Sequence, residues 1–385
     1  MRRLLFLVSA VVLVDTMFYA AIVPLLPEYR GDLGLSKSAA GGLTASYAAG
    51  TLLGALPSGW LAGRVGGKAT VLTGLGLLAV SSVAFGFAKD IVLLDAARFV
   101  QGIGGACSWA GGFAWLMAAA PADRRGELIG TALGAAIFGV LLGPVLGGAA
   151  TQTSPEVVFS GVGALALALA IWALSTPGHE PQGQARWSRL LGAVRGGPLL
   201  LAVWLVALPA LFSGTIGVLV PLRLDELGAE GVTVGAIFLA AAAVEAILSP
   251  LLGRLSDRRG RMLPLRVGLG AALVAAVVLP LPGAVWLLGA TVLFAVASLG
   301  MFWAPAAALL SERSESAGLN QGFAFGLMNL AWAAGQVVGG AGGGGLADAT
   351  ADALPYGFLG LLCALTLGLA GRSRHVARES SPASA

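Results

Sequence analysis

Apolar residues run along this chain in blocks of roughly 20, separated by short stretches that hold nearly all the charges. The blocks lack the period-two alternation of a lipid-facing strand, so helices are expected. A bilayer core of roughly 30 Å takes about 20 apolar residues per helix, and inside it each segment must satisfy its own backbone hydrogen bonds. Twelve spans are predicted: 4–26, 38–61, 69–88, 91–117, 128–150, 157–174, 198–222, 232–252, 263–281, 284–310, 320–346 and 354–371. Residues 1–175 then form one six-helix half and 198–371 a second. Between them 176–197, with Pro177, Pro181, Arg186, Arg189 and Arg195, is the expected linker, and 372–385 is a polar tail expected to be disordered. Met1-Arg2-Arg3 before an apolar run imitates a signal peptide. The run is too long for one and no small-residue cleavage site follows it, so it is predicted as the first membrane helix, closed by Pro24 and Pro27.

The arrangement looks duplicated. GRLSDRRGR at Gly253–Arg261, the densest charge cluster, has a weaker copy, GWLAGRVGGK, starting 194 residues earlier at Gly59 and ending at Lys68. Gly130, Gly134, Gly143, Gly147 and Gly148 recur at Gly322, Gly326, Gly335, Gly339 and Gly340, each offset by 192, with Gln336 where the first copy has Pro144. Two copies of an even number of spans share one orientation, which implies a pseudo-two-fold axis along the membrane normal and a substrate site between the halves.

Composition agrees with the pattern: 57% of residues are hydrophobic, 58 are glycine, 11% are charged and the mean hydropathy is +0.88, which excludes an ordinary soluble domain. The net charge of +4 matters less than its distribution. Eighteen of the 23 basic residues fall on one side of the twelve-span layout; Arg30, Lys37, Lys89 and Arg223 fall on the other, and Arg98 lies within a span. The positive-inside rule then makes both termini and the linker cytoplasmic. Cys107 and Cys363 lie in apolar runs and His179 and His375 in polar ones, so neither a disulfide nor a metal site is expected. No nucleophile with a base stands at membrane depth, which argues against an enzyme. No cofactor or nucleic-acid partner is expected either.

Three features break the apolar spans. Asp15 stands near the middle of the first, where an ionised carboxylate costs at least ~2.5 kcal/mol. A carboxylate withdrawn from water favours its neutral form, which suits a group that exchanges a proton near neutral pH. Asp95 and Arg98 sit one helical turn apart in the fourth span and are spaced to neutralise each other. Glu245 lies inside the eighth and is a candidate second proton site or counter-charge for a cation. Tyr19, Gln101, Trp109, Phe138, Phe238, Trp303, Asn329, Trp332 and Gln336 are candidates, with Asp15, to line a cavity.

These residues resemble the major facilitator superfamily, in particular its twelve-span drug:proton antiporter branch. Gly59, Leu61, Arg64, Gly66 and Lys68 are similar to the signature G-x-L-a-D-R-x-G-R-K, with Gly63 in the Asp position and Gly67 in the second basic one; Gly253, Leu255, Asp257, Arg258, Gly260 and Arg261 keep it better. Arg98, Gln101 and Gly102 resemble the R-x-x-Q-G signature. Gly139, Gly143, Pro144, Gly147 and Gly148 resemble the antiporter signature G-x-x-x-G-P-x-x-G-G, and Asp15 with Pro24-Leu-Leu-Pro27 is similar to the branch of the vesicular amine transporters.

The resemblance implies an all-helical membrane protein of two six-helix halves, working as a monomer by alternating access. It implies that Arg98 handles protons beside the candidates Asp15 and Glu245, that the two basic loops gate, and that the span-five glycines let helices move. The expected function is proton-coupled export of small amphiphilic or drug-like compounds. Proton-coupled transport of a sugar or carboxylate is the alternative, and a non-transporting receptor or scaffold is the alternative of another class. Arginine outnumbers lysine 20 to 3, which together with the glycine and alanine content points to a GC-rich bacterium and its inner membrane.

Overall fold

The computed structural model describes residues 1–121, 125–178, 197–259, 262–316 and 321–379, and every regular element among them is helical. The elements are α1 (Arg2–Ala20), α2 (Ile22–Leu33), α3 (Lys37–Val65), α4 (Gly67–Gly86), α5 (Ile91–Ala119), α6 (Arg125–Gln152) and α7 (Pro155–Leu174). After the linker come α8 (Gly197–Glu226), α9 (Gly231–Arg259), α10 (Met262–Val278), α11 (Val285–Ser316), α12 (Gln321–Val337), a π-helical turn (Val338–Gly342), α13 (Gly343–Ala349) and α14 (Ala353–Glu379). With α1–α2 and α12–α13 each counted as one rod, the described residues form twelve rods. The expected linker beyond Gly178 lies outside the described residues, and α14 continues to Glu379, into the stretch expected to be a disordered tail.

Seven helices among the described residues are long and apolar enough to cross a membrane, and α3 is not one of them. Its glycines, serines and threonines keep its hydropathy low. That composition suits close contact with neighbours: a Cβ on Gly50 would collide with the Phe99 carbonyl of α5, and one on Gly102 of α5 with the Tyr47 carbonyl.

The first rod departs from expectation. Pro24 and Pro27 do not close it; the chain turns at Ala21 and the helix continues to Leu33, ending at Gly34 in the left-handed region, φ +61°. A proline inside a continuous helix would clash with the carbonyl four residues earlier and remove a hydrogen bond. Restarting the helix at Ile22 places Pro24 in a first turn, where its missing N–H needs no partner. The second interruption, the π turn in the eleventh rod, falls on the glycine-rich Val338–Gly342.

Glycines related by the offset of 192 occupy equivalent contacts. A Cβ on Gly143 would lie 2.9 Å from the Met17 carbonyl and one on Gly147 would lie 2.5 Å from the Pro24 ring, both in the first rod. One on Gly335 would lie 2.8 Å from Ala210 and one on Gly339 against Leu211, both in α8, the first rod of the second half. Hydroxyls repeat the pattern: Thr16 donates to the Ala136 carbonyl of α6 at 3.0 Å, and Thr215 of α8 donates to the Gly339 carbonyl at 3.1 Å.

Candidate functional site

Asp15, Arg98 and Gln101 are each 0% exposed, so the chain holds an acid, a guanidinium and an amide together away from solvent. The break at Ala21 explains where the arginine goes. Arg98 of α5 donates to the Phe18 carbonyl at 3.4 Å, to the Tyr19 carbonyl at 3.1 Å and to Gln101 Oε1 at 2.7 Å. The two carbonyls lie where the α1 ladder is interrupted and can take an outside donor. The guanidinium carbon also lies 5.2 Å from the Tyr47 ring centre and 5.8 Å from that of Tyr19, within cation–π range.

Asp15 is held by two donors on one oxygen. Tyr47 Oη donates to Oδ2 at 3.0 Å and Trp109 Nε1 at 3.2 Å, while Oδ1 has no partner. Gly105 makes this possible, because a Cβ there would lie 2.6 Å from Tyr47 Oη and 2.9 Å from Asp15 Oδ1. Tyr47 was not anticipated. Its signal is visible in retrospect: a tyrosine in the middle of a predicted span needs a partner for its hydroxyl.

Arg98 and Asp95 do not form the pair that their spacing suggested. Asp95 is half-buried and accepts from Ser46 Oγ of α3 at 2.9 Å, while Arg98 turns towards the broken helix. One helical turn suffices to bring two side chains close, but each has found a stronger claim on a different neighbour.

From the second half, Trp332 of α12 meets this cluster edge-on, 5.4 Å from the Tyr19 ring and 6.4 Å from the Tyr47 ring. Asn329, one turn earlier, is half-buried. Gln336, one turn later, is buried and donates to Ser213 Oγ at 3.0 Å, so it ties α12 to α8. Phe238 is partly buried against the core and Phe138 is 58% exposed; the Trp303 side chain lies outside the described residues. Glu245 is half-buried, with no hydrogen bond or ion pair among the described residues, and its Cγ would lie 3.4 Å from a Cβ on Gly300.

The basic loop of the first half makes its contacts within that half. Lys68 donates to the Leu174 and Thr176 carbonyls at 2.9 and 2.8 Å, fastening the end of α7, and Arg64 lies over the Trp60 ring at 5.0 Å. Gly59 has open space around it. Gly67 shows why the motif's second basic position is empty: a Cβ there would lie 2.7 Å from that of Trp115. In the second loop the side chains of Asp257 and Arg258, and Arg261 itself, lie outside the described residues, and for Gly253 only the helical backbone is described.

Sequence reasoning also missed the contacts at the opposite end. Arg30 lies 3.2 Å from Glu226, and Lys37 lies 3.7 Å from Glu226 and 2.6 Å from Asp352. These join the first half to the second, and among the described residues every ion pair between halves lies at this end. Three of the four basic residues on the sparsely charged side belong here, since Arg223 reaches Glu226 at 3.2 Å. The backbones approach closely beside them: a Cβ on Gly41 would lie 3.3 Å from the Gly344 Cα. Along α6, Gly139, Gly143 and Gly147 pack on the first rod, the Pro144 carbonyl faces Gly235 of α9, and Gly148 borders open space. No group of three His, Cys, Asp or Glu residues among those described is placed to hold a metal.

A sequence profile of the Major Facilitator Superfamily matches residues 8–339. The synaptic vesicular amine transporter of Mus musculus is 26% identical over 260 residues, 66% of this chain and 50% of that one. The MFS-type transporter ppzB of Metarhizium rileyi is 31% identical over 139 residues, 35% of this chain and 29% of its own. The chain thus spans about half or less of the length of these curated relatives. A D-xylose-proton symporter superposes with a TM-score of 0.75 at 19% identity, covering 95% of this chain and 96% of its own. A bacterial homologue of the human lysosomal transporter Spinster, inward-facing and unoccupied, gives 0.75 at 15% identity, with 95% and 94% covered. At these identities the likeness is one of fold.

Proposed function

The chain belongs to the major facilitator superfamily, and we propose that it exports small amphiphilic compounds, organic cations foremost, in exchange for protons. The observation that carries this reading is the buried Asp15, with donors on one oxygen, a free second oxygen and a buried arginine nearby. Arg98 keeps its charge throughout. With Asp15 ionised the pair is neutral overall and accommodates a cation; with Asp15 protonated one positive charge remains and repels it. Proton and cationic substrate therefore exclude each other, which is the requirement for exchange. Half-buried Tyr19, Trp109 and Trp332 offer ring faces and edges to an apolar body.

In this reading the two six-helix halves, 1–175 and 198–371, rock about the site, with Glu245 as an auxiliary carboxylate in the second. The ion pairs of Arg30 and Lys37 close one mouth. The positive-inside charge asymmetry supports a reading in which that mouth opens outside, both termini are in the cytoplasm of a bacterial inner membrane, and the protein acts as a monomer. The test is substrate-induced proton movement in proteoliposomes by wild type and Asp15→Asn; antiport retained by the variant would sink the reading.

One observation favours a second reading. Arg98 has no carboxylate at ion-pair distance among the described residues. Once Asp15 is protonated its charge is unmatched, and an anionic substrate entering with a proton would satisfy it. Uptake of a carboxylate driven by an inward proton gradient, and absent with cations, would decide for symport.

A further inference from the structure

We infer that Tyr47 is the positioning residue that ties the state of the Asp15 carboxyl to the arrangement of the two halves. The inference rests on the reading of Asp15 as the proton-carrying group. It goes further by naming how that group senses which way the molecule faces.

Among the described residues Tyr47 alone touches Asp15, Arg98 and Trp332. Its hydroxyl donates to Asp15 Oδ2 at 3.0 Å, its ring face lies 5.2 Å from the Arg98 guanidinium, and its ring meets Trp332 of the second half edge-on at 6.4 Å, 81° between planes. Tyr19 lies beside it, its ring tilted by 43° with centres 4.8 Å apart, and shares the contact with Trp332. Its backbone has little freedom, so only the side chain can move. Its carbonyl abuts Gly102 of α5 and accepts from Thr51, and its hydroxyl fits only because residue 105 is glycine.

Trp332 sits on α12, a few residues before the π turn and in the rod whose glycines pack on α3. Rocking of the halves must change the Trp332 contact, since that ring belongs to one half and both tyrosines to the other. A tyrosine released on that side can swing its hydroxyl off Oδ2, leaving Trp109 as the remaining donor. A carboxylate with fewer donors is easier to protonate, so proton uptake follows the conformational change.

The test needs no substrate. Full-length protein in proteoliposomes is treated at pH 7 with dicyclohexylcarbodiimide, which modifies protonated carboxyls in apolar surroundings, and labelling at Asp15 is counted by mass spectrometry against labelling at Glu245. Tyr47→Phe keeps the ring and loses the donor; it should raise the Asp15:Glu245 ratio about fivefold, the effect of one hydrogen bond. Trp332→Ala should raise it by a smaller factor, and the double variant no further than Tyr47→Phe alone.

A ratio unchanged in Tyr47→Phe overturns the inference, as does a parallel rise at both carboxyls, which would report general loosening. A ratio unchanged in Trp332→Ala removes the link to the second half and overturns it equally. The Asp15 carboxyl stretch, isolated at acidic pH by difference against Asp15→Asn, gives a reagent-free reading: it should move to higher frequency in Tyr47→Phe, and a stationary band contradicts the claim. If instead Asp15→Asn sustains proton antiport while these ratios change as expected, the function reading fails and the positioning role survives.

Discussion

Asp15 and Glu245 each put one carboxylate into an apolar helix, one in each half, and their surroundings share almost nothing. Around Asp15 two helices contribute: α3 gives Tyr47, and α5 gives Trp109 and Arg98 as well as Gly105, which clears the space. Around Glu245 no described residue gives a hydrogen bond, and its near neighbour is the backbone of Gly300. A carboxylate without donors can stay in a low-dielectric setting only as the neutral acid or with access to water, whereas one with donors and a buried cation can exist in both states. On the proposed reading Asp15 is the carboxyl that switches and Glu245 the one that assists.

The largest effect should come from exchanging acid for amide at each position. Asp15→Asn is expected to reduce proton-coupled transport to the background of empty vesicles; Glu245→Gln should leave about a tenth or more of the wild-type rate, and equal losses would erase the distinction. Next comes Arg98→Lys, which keeps the charge but loses the fork that serves two carbonyls and Gln101 at once. Leaving buried acceptors unpaired costs about 1–3 kcal/mol, readable as a lower Tm together with a loss of transport.

Steric probes sharpen the same contrast. In Gly105→Ala the new methyl group would lie 2.6 Å from Tyr47 Oη and must push the Asp15 cluster apart, whereas in Gly300→Ala it would meet Glu245 at an ordinary 3.4 Å. Transport by the first variant should fall at least tenfold and by the second less than twofold. The smallest effect is expected at the closed mouth. Glu226→Gln breaks partly exposed pairs worth about 0.2–1 kcal/mol each, so accessibility of a single cysteine placed at that mouth should rise only a few-fold.

Much of this was legible in the chain. Twelve apolar blocks, the 192-residue glycine offset and Asp15 in mid-span all follow from burial and periodicity, which leave local marks. The glycine offset carried a structural meaning as well, since Gly143 and Gly335 meet the first rod of their own halves. What stayed hidden depends on partners distant in sequence. Tyr47 meets an acid 32 residues earlier, and Arg30 meets an acid 196 residues later. Arg98 and Asp95 misled for the complementary reason: proximity along one helix says nothing of what adjacent helices offer, here the carbonyls of a broken rod and the Ser46 hydroxyl. Pro24 marked an interruption, but its placement in a first turn let the helix run on.

The most direct test of the central claim, that Asp15 alternates between a proton and a cationic substrate, is made with proteoliposomes holding an acidic interior and a pH-sensitive dye. Tetraphenylphosphonium and a panel of other lipophilic cations are added to wild type and Asp15→Asn. The account predicts that at least one cation discharges the gradient with wild type and none does so with the variant. Equal discharge by both proteins, or discharge by carboxylates alone, would contradict it.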